Sequence, residues 1–235
     1  MALRALFVDV GNTLLREEPS RFELYAVQAR ARGVAIAEDE MSALMHRAHH
    51  ELPSEIDGEW RYTDRWFESY IDRVFHVYLG LDRAVLPELS RELFANFSRP
   101  ETFVIFPGAF ELFARARARG LKLGVVSNWS PRLPALLERL AIAREVDFVL
   151  CSAIERLEKP DTALFMRALE RAGVAPHEAL HAGDDLARDV LGARRAGLHA
   201  ALVDHARRHD DWNAAYAPRV TSLDALAELV ERLTR

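Results

Sequence analysis

Four short stretches carry side chains suited to chemistry on an oxygen-rich, negatively charged group. They are Asp9 with Gly11-Asn12-Thr13, then Ser127-Asn128-Trp129, then Lys159-Pro160, and last Gly183-Asp184-Asp185 with Asp189. Three of the four follow an apolar run with strand character: Leu6–Val8, Leu121–Val126 and Ala179–Ala182. In an open parallel sheet such runs end on one edge, where ligands bind outside the carboxyl ends of the strands. That edge would gather carboxylates, a hydroxyl, an amide and one ammonium. Carboxylate oxygens suit a hard cation such as Mg²⁺, and the ammonium and hydroxyl suit phosphoryl oxygens.

The elements that must position these groups can be read from periodicity. Residues 3–9 form a buried strand. Segments around 20–33, 38–51, 60–79 and 85–97 repeat at helical spacing, as Phe67, Tyr70, Ile71, Val74 and Tyr78 show, and residues 16–98 offer no convincing strand. From Pro107 the chain alternates helix and strand. A helix runs from near Pro107 to Gly120, with strands at 121–127, 148–150, 179–182 and 199–203, and Ser222 caps a last helix. The expected fold is α/β: a doubly wound parallel sheet built from 1–15 and 99–235, with an all-helical domain inserted at 16–98.

Bulk properties narrow the class. The chain has 235 residues, half of them apolar, and a formal net charge of −5, which argues against nucleic acid or an anionic membrane as partner. The single cysteine, Cys151, allows no internal disulfide, and no leader or membrane span is evident, so a cytoplasmic location is expected. Monomer and homodimer are both compatible with the sequence. His46, His49 and His50 lie on one helix face without an acidic or cysteine partner in a ligand pattern, which makes a metal site there the less favoured reading. Two lysines, Lys122 and Lys159, stand among many arginines. A compact ammonium at 159, where arginine is otherwise the rule, points to a site beside a carboxylate.

Taken in order, the four stretches resemble the signatures of the haloacid dehalogenase-like hydrolase superfamily. Asp9-Val10-Gly11-Asn12-Thr13 is similar to its DxDxT motif, and Ser127 to its serine or threonine motif. Lys159-Pro160 resembles the lysine motif, and Gly183-Asp184-Asp185 with Asp189 the acidic motif. The likeness covers roughly 3–15 and 100–205, and the helical block fits the position of the C1 cap, with hinges near 14–19 and 98–106.

This resemblance implies a Rossmann-like core and a Mg²⁺-dependent phosphatase acting on a small phosphorylated metabolite. Asp9 would be the nucleophile, and Asp9, Asp184 and the carbonyl of Gly11 would hold the metal. Ser127, with Thr13, Asn128 and Trp129, would line the phosphoryl and substrate site. Lys159 would offset charge, with Asp185 and Asp189 in support; Asp185 also suits a helix cap. The cap would set substrate choice and close to exclude water; Trp60, Tyr62 and Trp66 serve either as its core or as an aromatic wall.

One position departs from the pattern. Family phosphatases place an aspartate two residues after the nucleophile, where it moves the proton of the leaving group and of water. Gly11 has no side chain, and a general acid/base typically contributes about 10²–10⁴ in rate. Three expectations follow: a phosphatase with a substitute acid (Glu17, Glu18 or Asp185) or substrates with good leaving groups, a phospho-ligand-binding protein with little turnover, and, least favoured, dehalogenase-type chemistry.

Overall fold

A computed structural model of the chain describes residues 3–209, 211–214 and 216–234. It divides into two compact units, Met1–Arg16 with Ile105–Arg235, and Glu17–Val104. The divisions fall inside two short strands, Leu15–Glu17 and Phe103–Ile105, which pair as a two-stranded sheet. The sequence reading placed the second boundary six residues earlier, at 98/99, because three residues of strand leave no periodicity to detect.

The first unit is a parallel sheet of six strands. They are β1 (Ala5–Val8), β2 (Lys122–Ser127), β3 (Phe148–Cys151), β4 (Ala179–Gly183), β5 (His199–Val203) and β6 (Arg219–Val220). Their order across the sheet is β6-β5-β4-β1-β2-β3, every adjacent pair running parallel. The chain thus leaves β1 toward β2 and β3, then returns to the other side of β1 as β4. This reversal between β1 and β4 is the place where doubly wound sheets open a ligand crevice.

Strand burial follows from two-sided cover: all four residues of β1 and all five of β4 are buried. On one face Phe7, Val126 and Leu150 pack with Leu164, Phe165 and Leu169 of the helix Thr162–Ala172. Asp161 caps that helix through the Ala163 N–H (2.9 Å), and Gly173 closes it at φ 66°. Gly124 in β2 leaves room for the Phe148 ring, whose Cζ lies 2.4 Å from where a Cβ would sit.

The second unit is helical, with a core of its own. Tyr25, Ala29, Met41, Met45, Trp66, Tyr70, Phe75 and Leu89 are among its buried residues. Tyr25 stacks on Phe75 and Trp66 on Tyr70, with centroids 5.6 and 5.4 Å apart. Trp66 is fully buried and its indole N–H donates to the Pro53 carbonyl at 2.8 Å, so this ring is core. Tyr62 and Trp60 are half-buried; the Tyr62 hydroxyl bonds His49 Nε2 at 2.9 Å. That contact gives His49 an aromatic partner within the unit.

Two elements of this unit differ from expectation. Glu55–Ile56 and Glu59–Trp60 form a small antiparallel hairpin, turned by Asp57 and Gly58 at φ 52° and 81°. The helix expected over 60–79 starts at Asp64 and widens to π-helical geometry over Asp72–Tyr78. No helix among the described residues is long and apolar enough to cross a membrane.

Candidate active site

The tip of β1 fixes the first carboxylate. Beyond Val8 the chain turns tightly: the Val10 carbonyl accepts from the N–H groups of Leu14 (2.9 Å) and Leu15 (3.0 Å), and Asn12 takes the left-handed conformation at φ 53°. Asparagine tolerates that region better than most residues. Gly11 is not left-handed; what its missing side chain permits is the approach of an indole. A Cβ at Gly11 would lie 3.2 Å from Cζ3 of Trp129, tighter than ordinary contact.

Lys159, after β3, reaches back to the β1 and β4 tips. Its ammonium donates to Asp9 Oδ1 at 2.6 Å and to Asp189 Oδ1 at 2.5 Å. All three are buried, at 3, 7 and 2 % exposure for Lys159, Asp9 and Asp189. Asn128 holds the lysine's main chain from both sides, donating to the Lys159 carbonyl and accepting from its N–H, each at 2.8 Å. The sequence reading placed this amide at the phosphoryl site; within the fold its two bonds position the Lys159 main chain.

Asp189 is the hub of the cluster. It also accepts from His181 Nε2 at 2.9 Å and, through Oδ2, from the Asp185 N–H at 3.0 Å. Gly183 makes this possible, since a Cβ there would sit 2.2 Å from Asp189 Cγ. His181 is fully buried on β4 and was not foreseen; the signal was a lone histidine inside an otherwise apolar strand. Asp185 caps the turn that follows, accepting from the N–H groups of Ala187 and Arg188 at 2.8 Å each. Thr13 is fully buried, its hydroxyl without a partner, while its carbonyl accepts from His205 Nε2 at 3.0 Å. The hydroxyl therefore lies beneath the open surface rather than on it, as a phosphate ligand would require. Ser127 is buried at the end of β2, and half-buried Trp129 follows two residues later.

Charge is unbalanced in this cluster. Asp9, Asp184 and Asp189 each offer a carboxylate oxygen, all within 4.8 Å of one another, against one ammonium. Burial and the Asp9 and Asp189 charges push the Asp184 carboxyl up to about 8. Burial raises Asp9 too, more than Lys159 lowers it. Asp189 goes the other way: burial is outweighed by Lys159 and His181, and its carboxyl is held well below the usual range. Burial opposes the lysine's charge, but its two carboxylates hold Lys159 protonated, and burial keeps His181 neutral by lowering its pKa. Oxygen-only donors around excess negative charge are the setting in which a hard divalent cation binds.

A doubly wound sheet with this lysine-bridged carboxylate cluster at its reversal point marks the chain as a hydrolase of the haloacid dehalogenase type. The family model for haloacid dehalogenase-like hydrolases matches residues 3–197, and the chain belongs to that family. It is 32% identical over 238 residues to haloacid dehalogenase-like hydrolase domain-containing protein 3 of Bos taurus, covering 99% of this chain and 94% of that protein. It is also 32% identical over 241 residues to the phosphoserine phosphatase of Thermus thermophilus, covering 94% of this chain and 96% of that protein. Among solved structures, the HAD-hydrolase YfnB of Bacillus subtilis, bound to magnesium, matches with a TM-score of 0.73 at 19% identity. That match covers 98% of this chain and all of the other, and it speaks to the fold.

Proposed function

We propose that this hydrolase is a Mg²⁺-dependent phosphatase of small phosphorylated metabolites, working through a phosphoryl group carried on Asp9. The observation that carries the reading is the buried lysine held between Asp9 and Asp189 beside a third carboxylate, Asp184. Such a site accommodates a cation and a phosphoryl group together, and the phosphoserine phosphatase relative is consistent with that chemistry.

The donor set fits Mg²⁺: Asp9 and Asp184 would hold it, with the main-chain carbonyl of Gly11 as a further oxygen. When bound, the ion supplies positive charge against the phosphoryl oxygens. An Asp9 carboxylate oxygen attacks phosphorus, the bond to the leaving oxygen breaks, and the phosphoryl group passes to Asp9. Water then attacks the same phosphorus, releasing inorganic phosphate and restoring the carboxylate. Lys159 favours the ionised form of Asp9 against its burial and offsets phosphoryl charge; Ser127 at the neighbouring strand tip offers a hydroxyl donor.

Proton transfer is the step for which the sheet's tip has least equipment. Gly11 contributes no acid, and Asp185 spends one carboxylate oxygen on two main-chain N–H groups. Substrates whose leaving group departs without help are therefore favoured. The same absence supports a second reading, a phospho-ligand-binding protein with little turnover.

A phosphatase screen with Mg²⁺, run beside Asp9→Asn, separates the two. The expected result is Mg²⁺-dependent release of phosphate, fastest from p-nitrophenyl phosphate and abolished in Asp9→Asn. Activity that survives Asp9→Asn refutes the nucleophile, and tight binding without turnover across the panel favours the second reading.

A further inference from the structure

Beside the carboxylate cluster, within the sheet-bearing unit, a cleft of about 280 Å³ opens at the tips of β1, β4 and β5. Its walls include Asn12, Arg16, Asp184, His205, Arg208 and His209. Asp184 is shared with the cluster, and its carboxylate lies within 4.8 Å of that of Asp9. A group in the cleft is thus one short carbon skeleton away from a phosphoryl group at Asp9.

The cleft is built by the fold. The Phe106 ring stacks on His205, with centroids 3.8 Å apart and planes 13° from parallel, and Arg16 lies over the same ring at 5.7 Å. His205 donates through Nε2 to the Thr13 carbonyl at 3.0 Å, which ties the β5 loop to the β1 loop. Asp204, 6 % exposed, sets the course of the loop: it accepts from the N–H groups of Arg208 (2.9 Å) and His209 (3.0 Å). Arg219 donates to the same carboxylate at 2.9 Å, so the loop's acidic group is neutralised within the fold. The loop and Arg16 thus bring two arginines, Arg16 and Arg208, and two histidines, His205 and His209, to the cleft wall, with His205 Nε2 committed to the Thr13 carbonyl. Guanidinium donors match carboxylate and phosphate oxygens in a fork-to-fork geometry.

We propose that this cleft seats a second anionic group of the substrate, so that the preferred substrates are phosphate monoesters bearing a carboxylate or another phosphate. Arg208 is the specificity-determining contact, with Arg16 facing the same group. The inference rests on the phosphatase reading for the position of the reacting phosphoryl group, and it names the class of molecule that reading leaves open.

The test is calorimetric binding to Asp9→Asn protein in the presence of Mg²⁺, with three probes: 3-phosphoglycerate, 1,3-propanediol bisphosphate and glycerol 3-phosphate. At least one of the first two binds at least tenfold more tightly than glycerol 3-phosphate, and the tighter of them identifies carboxylate or phosphate as the preferred anion. Adding Arg208→Gln brings the ratio to within about twofold, and Arg208→Lys restores part of it. Equal affinities for all three probes, or a preference that Arg208→Gln leaves intact, overturn the proposal. Turnover of p-nitrophenyl phosphate by the unmutated chain is scored separately. Turnover without discrimination removes the cleft's role, whereas discrimination without turnover removes the phosphatase reading and leaves the cleft.

Discussion

Replacing Lys159 by methionine keeps most of the side-chain volume and removes the cation from the cluster. The ammonium lies 2.6 and 2.5 Å from its two carboxylates. At an effective dielectric of about 20 each contact is worth about 6 kcal/mol before solvation is counted. Desolvation of the buried lysine opposes this by several kcal/mol, and removing one partner of a buried pair typically costs about 3–5 kcal/mol. The cost should depend on pH in one direction. Without Lys159 the folded carboxyls of Asp9 and Asp189 are raised and join Asp184, already near 8. A group raised in the folded state contributes stability below its unfolded pKa and loses it as pH rises through the folded value. Lys159→Met is therefore least damaging near pH 5.5 and most damaging above pH 8. Urea unfolding followed by circular dichroism at pH 5.5 and 8.5, with chelator present, measures both. A cost under about 1 kcal/mol at pH 8.5, or one that grows as pH falls, refutes the electrostatic argument.

Gly183→Ala places a Cβ 2.2 Å from Asp189 Cγ and 2.7 Å from its Cβ and should destabilise by about 1–3 kcal/mol; in an Asp189→Gly background, which removes both atoms, the penalty should largely vanish, which a double-mutant cycle reads directly. Gly11→Asp should raise turnover of alkyl phosphates by about 10² or more. The gain should be larger when Trp129→Leu relieves the 3.2 Å contact, and steady-state kinetics showing no gain in either variant counts against a missing acid. Asp204 is pushed up by burial but held below its ordinary pKa by its two N–H donors and Arg219. It therefore stabilises above the unfolded carboxyl range, and that contribution is lost as pH falls through it. The Tm difference between the unmutated chain and Asp204→Asn should accordingly shrink from pH 6 to pH 3, and a difference that widens instead contradicts this.

The sheet and its loaded edge were legible because parallel strands covered on both faces read as apolar runs, and a charge at the end of such a run stands out. Asp9 and Asp184 were found in this way, and Lys159 by its rarity among arginines. Less visible was how these residues hold one another. Nothing in the spacing of Asn128 shows its amide clasping the Lys159 main chain across 31 residues. The need for glycine at 183 comes from Asp189 folding back against it, and the buried His181 contact arises from the same return of the chain. The cleft loop after β5 depends on Asp204 gathering donors from its own loop and from β6, a two-residue strand too short to show periodicity. The hairpin at 55–60 was hidden for the same reason, two residues per strand leaving no alternation to count.

The placement of the two lysines has a practical consequence for protein chemistry. Lys122 is exposed at the start of β2, whereas Lys159 is sealed beneath its carboxylates with its ammonium held protonated. Amine-directed reagents such as acylating labels and crosslinkers need the neutral, accessible amine, so in the folded chain they should modify one lysine side chain and spare the other. Mass spectrometry of brief acylation therefore turns Lys159 into a built-in reporter, silent while the cluster is closed and marked only in molecules where it has come apart.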